Sequence, residues 1–190
     1  MKKIILELSP VSGYIERTRE NVRQSDVTLA IAKDFSTAGE RLTYRCARNC
    51  HKPIVRVLHR ATDFDGQVSQ LVYTLNRAYE KKRAPIVLNG AGNGVYTLGE
   101  SQDKADVFAL RFLKAAMEHP CKRFELAEVR SGGQTGYDVA IIKAAMALGI
   151  PARIHCARAK GGLFMVRDSD GADTGLTYRD YMSFMGLEKI

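Results

Sequence analysis

No apolar run in this 190-residue chain approaches the roughly 20 residues that a membrane helix needs, and Met1-Lys2-Lys3 ahead of Ile4-Ile5-Leu6 is too short for a secretory signal. The expected location is cytoplasmic, with no membrane partner. Cysteine is sparse. Cys46, Cys50, Cys121 and Cys156 form no pair of CxxC hooks and lack the density of a secreted disulfide scaffold, so free thiols are expected. Cys46, Cys50 and His51 fall close together on one predicted helix, but no fourth ligand at a suitable spacing accompanies them, and no metal site is predicted. Low-complexity linkers and internal repeats are missing as well. So are the helix-turn-helix, RNP and zinc-finger patterns of nucleic-acid readers.

What is present describes one folding unit. With 45% hydrophobic and 26% charged residues, the chain can bury one substantial core and is short for two, which predicts a single domain over residues 1–190. A formal net charge of +8 favours anionic partners, because the summed field of such a surface attracts phosphates and carboxylates. The Lys and Arg residues are scattered along the chain instead of clustered. A small anionic ligand is therefore favoured, and nucleic acid ranks last among the partners considered.

Short β-branched and aliphatic runs predict strands at 4–8, 27–32, 54–58, 86–89, 124–130 and 152–156. Helical periodicity fills the intervals at 13–24, 39–50, 66–82, 103–118 and 137–148. This alternation predicts a doubly wound, Rossmann-like α/β domain with a mostly parallel sheet and helices on both faces. Residues 157–175, rich in glycine and charge, read as a long loop. Residues 176–187 read as a terminal helix whose Tyr178, Tyr181, Phe184 and Met185 serve the core or a homo-oligomer contact.

In open α/β sheets the ligand lies in the crevice outside the carboxyl ends of the strands. The strand at 124–130 is followed by Ser131-Gly132-Gly133-Gln134-Thr135-Gly136 and then a helix, and Asn89 by Gly90-Ala91-Gly92-Asn93-Gly94. Ala32 leads into a loop with Thr37 and Gly39, and Cys156 into Arg158 and Lys160. Gly132 and Gly133 permit close backbone approach, and the following helix adds its positive dipole end, so the first loop reads as a phosphate cradle. A glycine-rich turn with no ligand fits the same residues. The loop is expected on the surface, where Gly133→Asp abolishes binding and spares the fold. Ser131–Gly136 is neither a Walker loop nor a GxGxxG fingerprint, which argues against an ATPase and an ordinary nicotinamide dehydrogenase. Arg17, Thr18 and Asn21 share one helix face and either reach the ligand or form a solvated face. Cys156 is expected to line the pocket.

The run from Arg130 through Asp138, with the alanine-rich helix, Leu148-Gly149-Ile150-Pro151 and Cys156 after it, resembles the opening of the molybdenum carrier family. That family lies within the LOG-like (SLOG) Rossmann-type superfamily of nucleotide-ligand binders and phosphoribohydrolases. Tyr14, Arg17-Thr18, Asn21-Val22, Ser25-Asp26 and Thr28-Leu29 resemble its middle section. Thr37-Ala38-Gly39, Arg45, Ala47-Arg48 and Lys52-Pro53 resemble the helix after it, and Leu88 through Gly92 its late Leu-Asn-x-Ala-Gly loop. The opening block comes last here, so the order reads as circularly permuted: middle and late blocks in 1–120, the opening block in 124–156, and an additional loop and helix in 157–190. Val139 stands where the family has arginine, and Ala157-Arg158-Ala159 where it has Pro-Lys-Gly.

The resemblance implies a carrier, sensor or sequestering protein for a small phosphorylated ligand, nucleotide-derived or of the molybdopterin type. The alternative it implies is a LOG-like nucleoside-monophosphate phosphoribohydrolase. Those enzymes carry a Pro-Gly-Gly-x-Gly-Thr-x-x-Glu pattern; here Ser131 replaces the proline and no glutamate follows Gly136 at the required place. Glu40, Glu100 or Asp138 could substitute in space. Asp138 reads equally well as a helix-start residue favoured by the dipole. Binding is thus expected ahead of catalysis.

Overall fold

The computed structural model describes residues 4–60 and 62–188. The chain begins with β1 (Ile4–Ser12), α1 (Tyr14–Arg23), β2 (Val27–Ala32), α2 (Ala38–Asn49), β3 (Ile54–Leu58) and α3 (Phe64–Lys82). It continues with β4 (Ile86–Gly92), the single turn α4 (Val95–Leu98), α5 (Gln102–Glu118), β5 (Leu126–Ser131), α6 (Tyr137–Ala147) and β6 (Ala152–Arg158). A 3-10 turn at Lys160–Gly162 leads into β7 (Phe164–Arg167), β8 (Asp173–Leu176) and α7 (Tyr178–Phe184).

The first six strands run parallel in the order β3-β2-β4-β5-β6-β1, and β7 and β8 add an antiparallel hairpin at the end of β6. Every residue of β2, Val-Thr-Leu-Ala-Ile-Ala, is buried, as a central parallel strand covered on both faces requires. Helices α3, α5 and α6 cover one face, and α1 and α2 the other. Residues Tyr137 to Ile142 of α6 are all buried, because α5 lies over its outer side. Helix α2 starts at Thr37, whose hydroxyl accepts the Glu40 amide, and α3 at Asp63, whose carboxylate accepts the Gly66 amide.

Beta5 lies beside β4, with Asn89 opposite Arg130 and Gly90 opposite Ser131. The predicted strand at 124–130 is therefore central, and its loop opens on the same rim as those of β2 and β4. Two expectations are corrected. Phe124 precedes the pairing and fills the core instead, at 1% exposure. Residues 157–175 are not a long loop: β6 continues to Arg158 and the β7–β8 hairpin follows. The burial of Phe164 and Val166, alternating with Met165 and Arg167, is a strand signature only four residues long, and the surrounding glycines and charges hide it.

Candidate functional site

Helices α1 and α2 stand over the carboxyl ends of β4 and β5 and leave a cavity of about 510 Å³ between them. Such a crevice is where doubly wound sheets place their ligands. Arg17, Thr18 and Asn21 form the α1 wall, and Thr37, Gly39 and Glu40 belong to the α2 wall. Gly90, Gly92, Asn93 and Gly94 contribute from β4 and its loop. Gly132, Gln134, Thr135 and Asp138 come from the β5 end, and Arg167 reaches in from the hairpin.

At the centre is a buried ion pair. The Asp138 carboxylate, in the first turn of α6, accepts from Arg17 Nη1 at 3.2 Å and from the Gln134 amide at 3.4 Å. The Gly92 amide is also directed at it. Burial pushes its pKa upward, against the opposing effects of Arg17 and the two amides. Gly132 makes the pair possible, since a Cβ there would overlap the Arg17 guanidinium and the Asp138 carboxylate.

This arrangement corrects the reading of Ser131–Gly136 as an open phosphate cradle. The anion held at the start of α6 is the protein's own Asp138. The Gly136 amide donates to Gln102 Oε1 at 2.6 Å and the Tyr137 amide to the Asn93 carbonyl at 3.2 Å, so these donors already have partners. The loop is also buried instead of lying on the surface. Gly133, at φ 68°, faces away from the cavity, and a Cβ there would run into the Tyr181 hydroxyl, Ile154 and Cys156. Tyr181 donates to the Gly133 carbonyl at 2.7 Å.

Of the residues expected at the ligand, Ser131, Gly133, Gly136, Cys156, Arg158 and Lys160 do not line the cavity. Ser131 is fully buried as the last residue of β5. Gly136 backs onto Asn93 and Gly94. Cys156 packs with Tyr181 on the α6 side of the sheet, and burial pushes its thiol up to about 12. Strand alternation gives the other face to His155. Lys160 is exposed on the 3-10 turn, and the basic group that reaches the cavity from the tail is Arg167.

Several lining residues have local work. Asn93 accepts the amides of Lys33 and Asp34 at 2.9 Å, which ties the β2 and β4 loops together. Gln134 donates to the Met165 carbonyl and accepts the Arg167 amide, and Thr135 donates to the Arg167 carbonyl. These two side chains fasten the hairpin to the loop. By contrast, Arg17 Nε, Asn21 Oδ1 and Glu40 Oε2 are buried without a partner among the described residues, and all three residues line the same cavity.

Glu40 is 6% exposed, with Asn93 Nδ2 at 3.5 Å from its other oxygen. Burial, reinforced by the charge of Asp138, raises its pKa to about 8. Thr37-Ala38-Gly39-Glu40 has the pattern of a capping box, which explains Glu40 by purely local chemistry. Only the threonine half forms, and the glutamate turns inward. Asp138 carried a comparable local explanation as a helix-start residue. Arg167 lay in a segment read as loop, so its place beside the cavity had no sequence signal. Tyr96, also in the lining, had none beyond its aromatic character, whereas Tyr14 opens the block that resembles the family's middle section.

Among the described residues no helix is long and apolar enough to cross a membrane, and no group of three His, Cys, Asp or Glu side chains is placed to hold a metal ion. All four cysteines are free, Cys46 and Cys156 buried and Cys121 exposed. No curated protein matches the chain. Residues 3–93 match the model of the circularly permutated YpsA SLOG family. That span carries both helices that wall the cavity, while the Ser131–Gly136 loop that completes it follows later in the chain. Over those residues the chain is similar to a SLOG-type family of circularly permuted order.

Proposed function

We propose that the protein binds a small phosphorylated ligand, nucleotide-derived in the first instance, in the cavity between α1, α2 and the ends of β4 and β5. The observation that carries this reading is the set of unpartnered buried atoms on Arg17, Asn21 and Glu40 around one cavity. A buried polar group without a partner costs about 1–3 kcal/mol, and a ligand that satisfies three of them recovers that cost on binding. Ribose hydroxyls suit Asn21 and Glu40. Phosphate suits Arg45 and Arg167, both exposed at the rim, and a base can lie against Tyr14 or Tyr96. A volume of about 510 Å³ accommodates a mononucleotide-sized molecule. A pterin phosphate of the molybdopterin class presents the same combination of ring and anion, and is the second candidate ligand.

Native mass spectrometry of the purified protein, followed by identification of what denaturation releases, tests the class directly. Calorimetry with nucleoside 5′-monophosphates supplies the affinity, and Asn21→Leu is expected to weaken binding about tenfold. Equal affinity in that variant, or a released molecule with neither ring nor phosphate, removes the reading.

One observation favours turnover as a second reading. Glu40 and Asp138 line the same cavity, and Glu40 titrates near 8, so at neutral pH it is mostly protonated and fit to act as a general acid. N-glycosidic cleavage of a nucleoside monophosphate uses that chemistry: the leaving base takes a proton, and water attacks the anomeric carbon with its proton passing to a carboxylate. Release of free base, lost in Glu40→Gln, is the expected result. Stable binding with no base release keeps the protein a binder.

A further inference from the structure

A second cavity, of about 470 Å³, lies on the other side of the first turns of α2. It shares Ala38, Glu40 and Arg45 with the first cavity and is otherwise built from Phe35, Arg41, Tyr44 and Arg56. Three guanidinium groups thus converge on one hollow. None of the three makes an ion pair with a described carboxylate. Nearby Asp34 accepts the Ser36 amide at 2.7 Å, and Glu40 is held largely neutral by its burial.

Arg56 is not a loose surface side chain. It projects from β3 with its guanidinium 4.1 Å from the centre of the Phe35 ring and 5.9 Å from that of Tyr44. Stacking on a ring face restrains the guanidinium plane and leaves its N–H edge available, which lowers the ordering cost of binding an anion. Like charges brought together repel one another, and although the Asp34 carboxylate feels the charge of Arg41, no described carboxylate pairs with any of the three, so an anion in this hollow relieves repulsion as well as making new bonds.

We propose that this cavity is a second anion subsite, in which Arg41 and Arg56 take a further phosphate group of a ligand whose first phosphate lies at Arg45. The ligand class is then a nucleoside diphosphate or another pyrophosphate-bearing nucleotide. The assignment of the nucleoside part rests on the function proposed above; the anion subsite itself does not.

Inorganic pyrophosphate and the pair 5′-AMP and ADP separate the two. Calorimetry at low salt is expected to show pyrophosphate binding that weakens at least about tenfold in the Arg41→Gln/Arg56→Gln double variant. ADP is expected to bind about tenfold more tightly than AMP to the wild type and equally tightly to the variant, with AMP affinity unchanged. Both arginines are exposed, and circular dichroism checks that the variant folds. Arg56→Lys, which keeps the charge and loses the planar stack, is expected to fall between wild type and the double variant. Pyrophosphate binding that ignores Arg41 and Arg56, or no pyrophosphate binding at all, overturns the subsite. So does arginine-dependent binding confined to single-stranded oligonucleotides. If pyrophosphate binds as expected and AMP does not bind, the subsite stands and the nucleotide reading of the first cavity falls.

Discussion

Beneath α3, α5 and α6 the sheet carries an apolar layer rich in aromatic rings. Phe108 stacks on Phe112 with the rings 9° from parallel, Phe64 meets Phe112 edge-on, and Tyr137 meets Phe108 the same way. Beneath α1 and α2 the apolar contribution shrinks to a small cluster around Val22, Cys46 and Ala47, and the residues buried nearby include Arg17, Asn21, Glu40 and Asp138. One face is filled mainly by apolar and aromatic side chains, with His59 and Asn76 as buried polar residues among them. The other is held apart by polar groups, some of them without partners. Proteins break packing rules mainly at functional sites, and the contrast between the faces supports the proposed ligand site more sharply than the glycine loops do.

The largest expected effect lies on the apolar side. Gly133→Asp places a carboxylate against Tyr181, Ile154 and Cys156 at a positive φ, and should cost at least about 5 kcal/mol. Thermal unfolding should drop by about 10–20 °C, if the variant folds at all. A Gly133→Asp protein with wild-type stability would show that the loop belongs to the cavity side after all.

Next comes the polar side's own anchor. Arg17→Met leaves Asp138 buried without its ion-pair partner and should cost about 3–5 kcal/mol. Adding Asp138→Asn, which removes the stranded charge, should recover part of that loss. Urea melts of the three variants measure it; additive losses in the double variant would mean that the pair is not coupled.

Glu40 sharpens the comparison through pH. Its folded pKa, about 8, lies above the ordinary carboxylate value of 4.5, so the folded state binds the extra proton between those limits. Stability from this group is therefore present below about pH 4.5 and declines as pH rises toward 8, at about 1.4 kcal/mol per pH unit where the difference is complete. Glu40→Gln should flatten that decline. An unchanged slope in the variant would place the titration elsewhere.

How much of this was legible depends on distance along the chain. Strands β2 and β3 are read to the residue, because Asp26 and Pro53 mark where polar turn gives way to a buried apolar run. The positions needing glycine at the rim are also legible, but what each glycine makes room for is not. Gly132 exists for Arg17, and Arg17 meets Asp138 across 121 residues of sequence. Strand alternation places His155 and Cys156 on opposite faces without saying which face bears the cavity. The hairpin escapes for another reason: two four-residue strands around a turn rich in aspartate and glycine carry too little periodicity to register.

The smallest effect concerns the seam where the hairpin meets α1. Tyr14 donates to Asp173 Oδ1 at 2.6 Å, and Asp173 in turn holds Arg167 through two bonds of 2.9 Å. Arg167 also lies 5.4 Å from the centre of the Tyr14 ring. Tyr14→Phe keeps that ring and removes only the hydroxyl bond, at a half-buried position, so global stability should fall by about 0.5–1 kcal/mol. Gln134 and Thr135 still fasten the hairpin to the β5 loop, and Arg167 still pairs with Asp173. The difference should appear instead in hydrogen exchange, as faster exchange at the Arg167 amide and along β8 with no change in β2 or β4. A loss as large as that of Arg17→Met would make the hairpin part of the rigid frame. Unaltered exchange would mean that the hydroxyl bond does not hold the seam, leaving the Gln134 and Thr135 contacts to fix Arg167 beside the cavity.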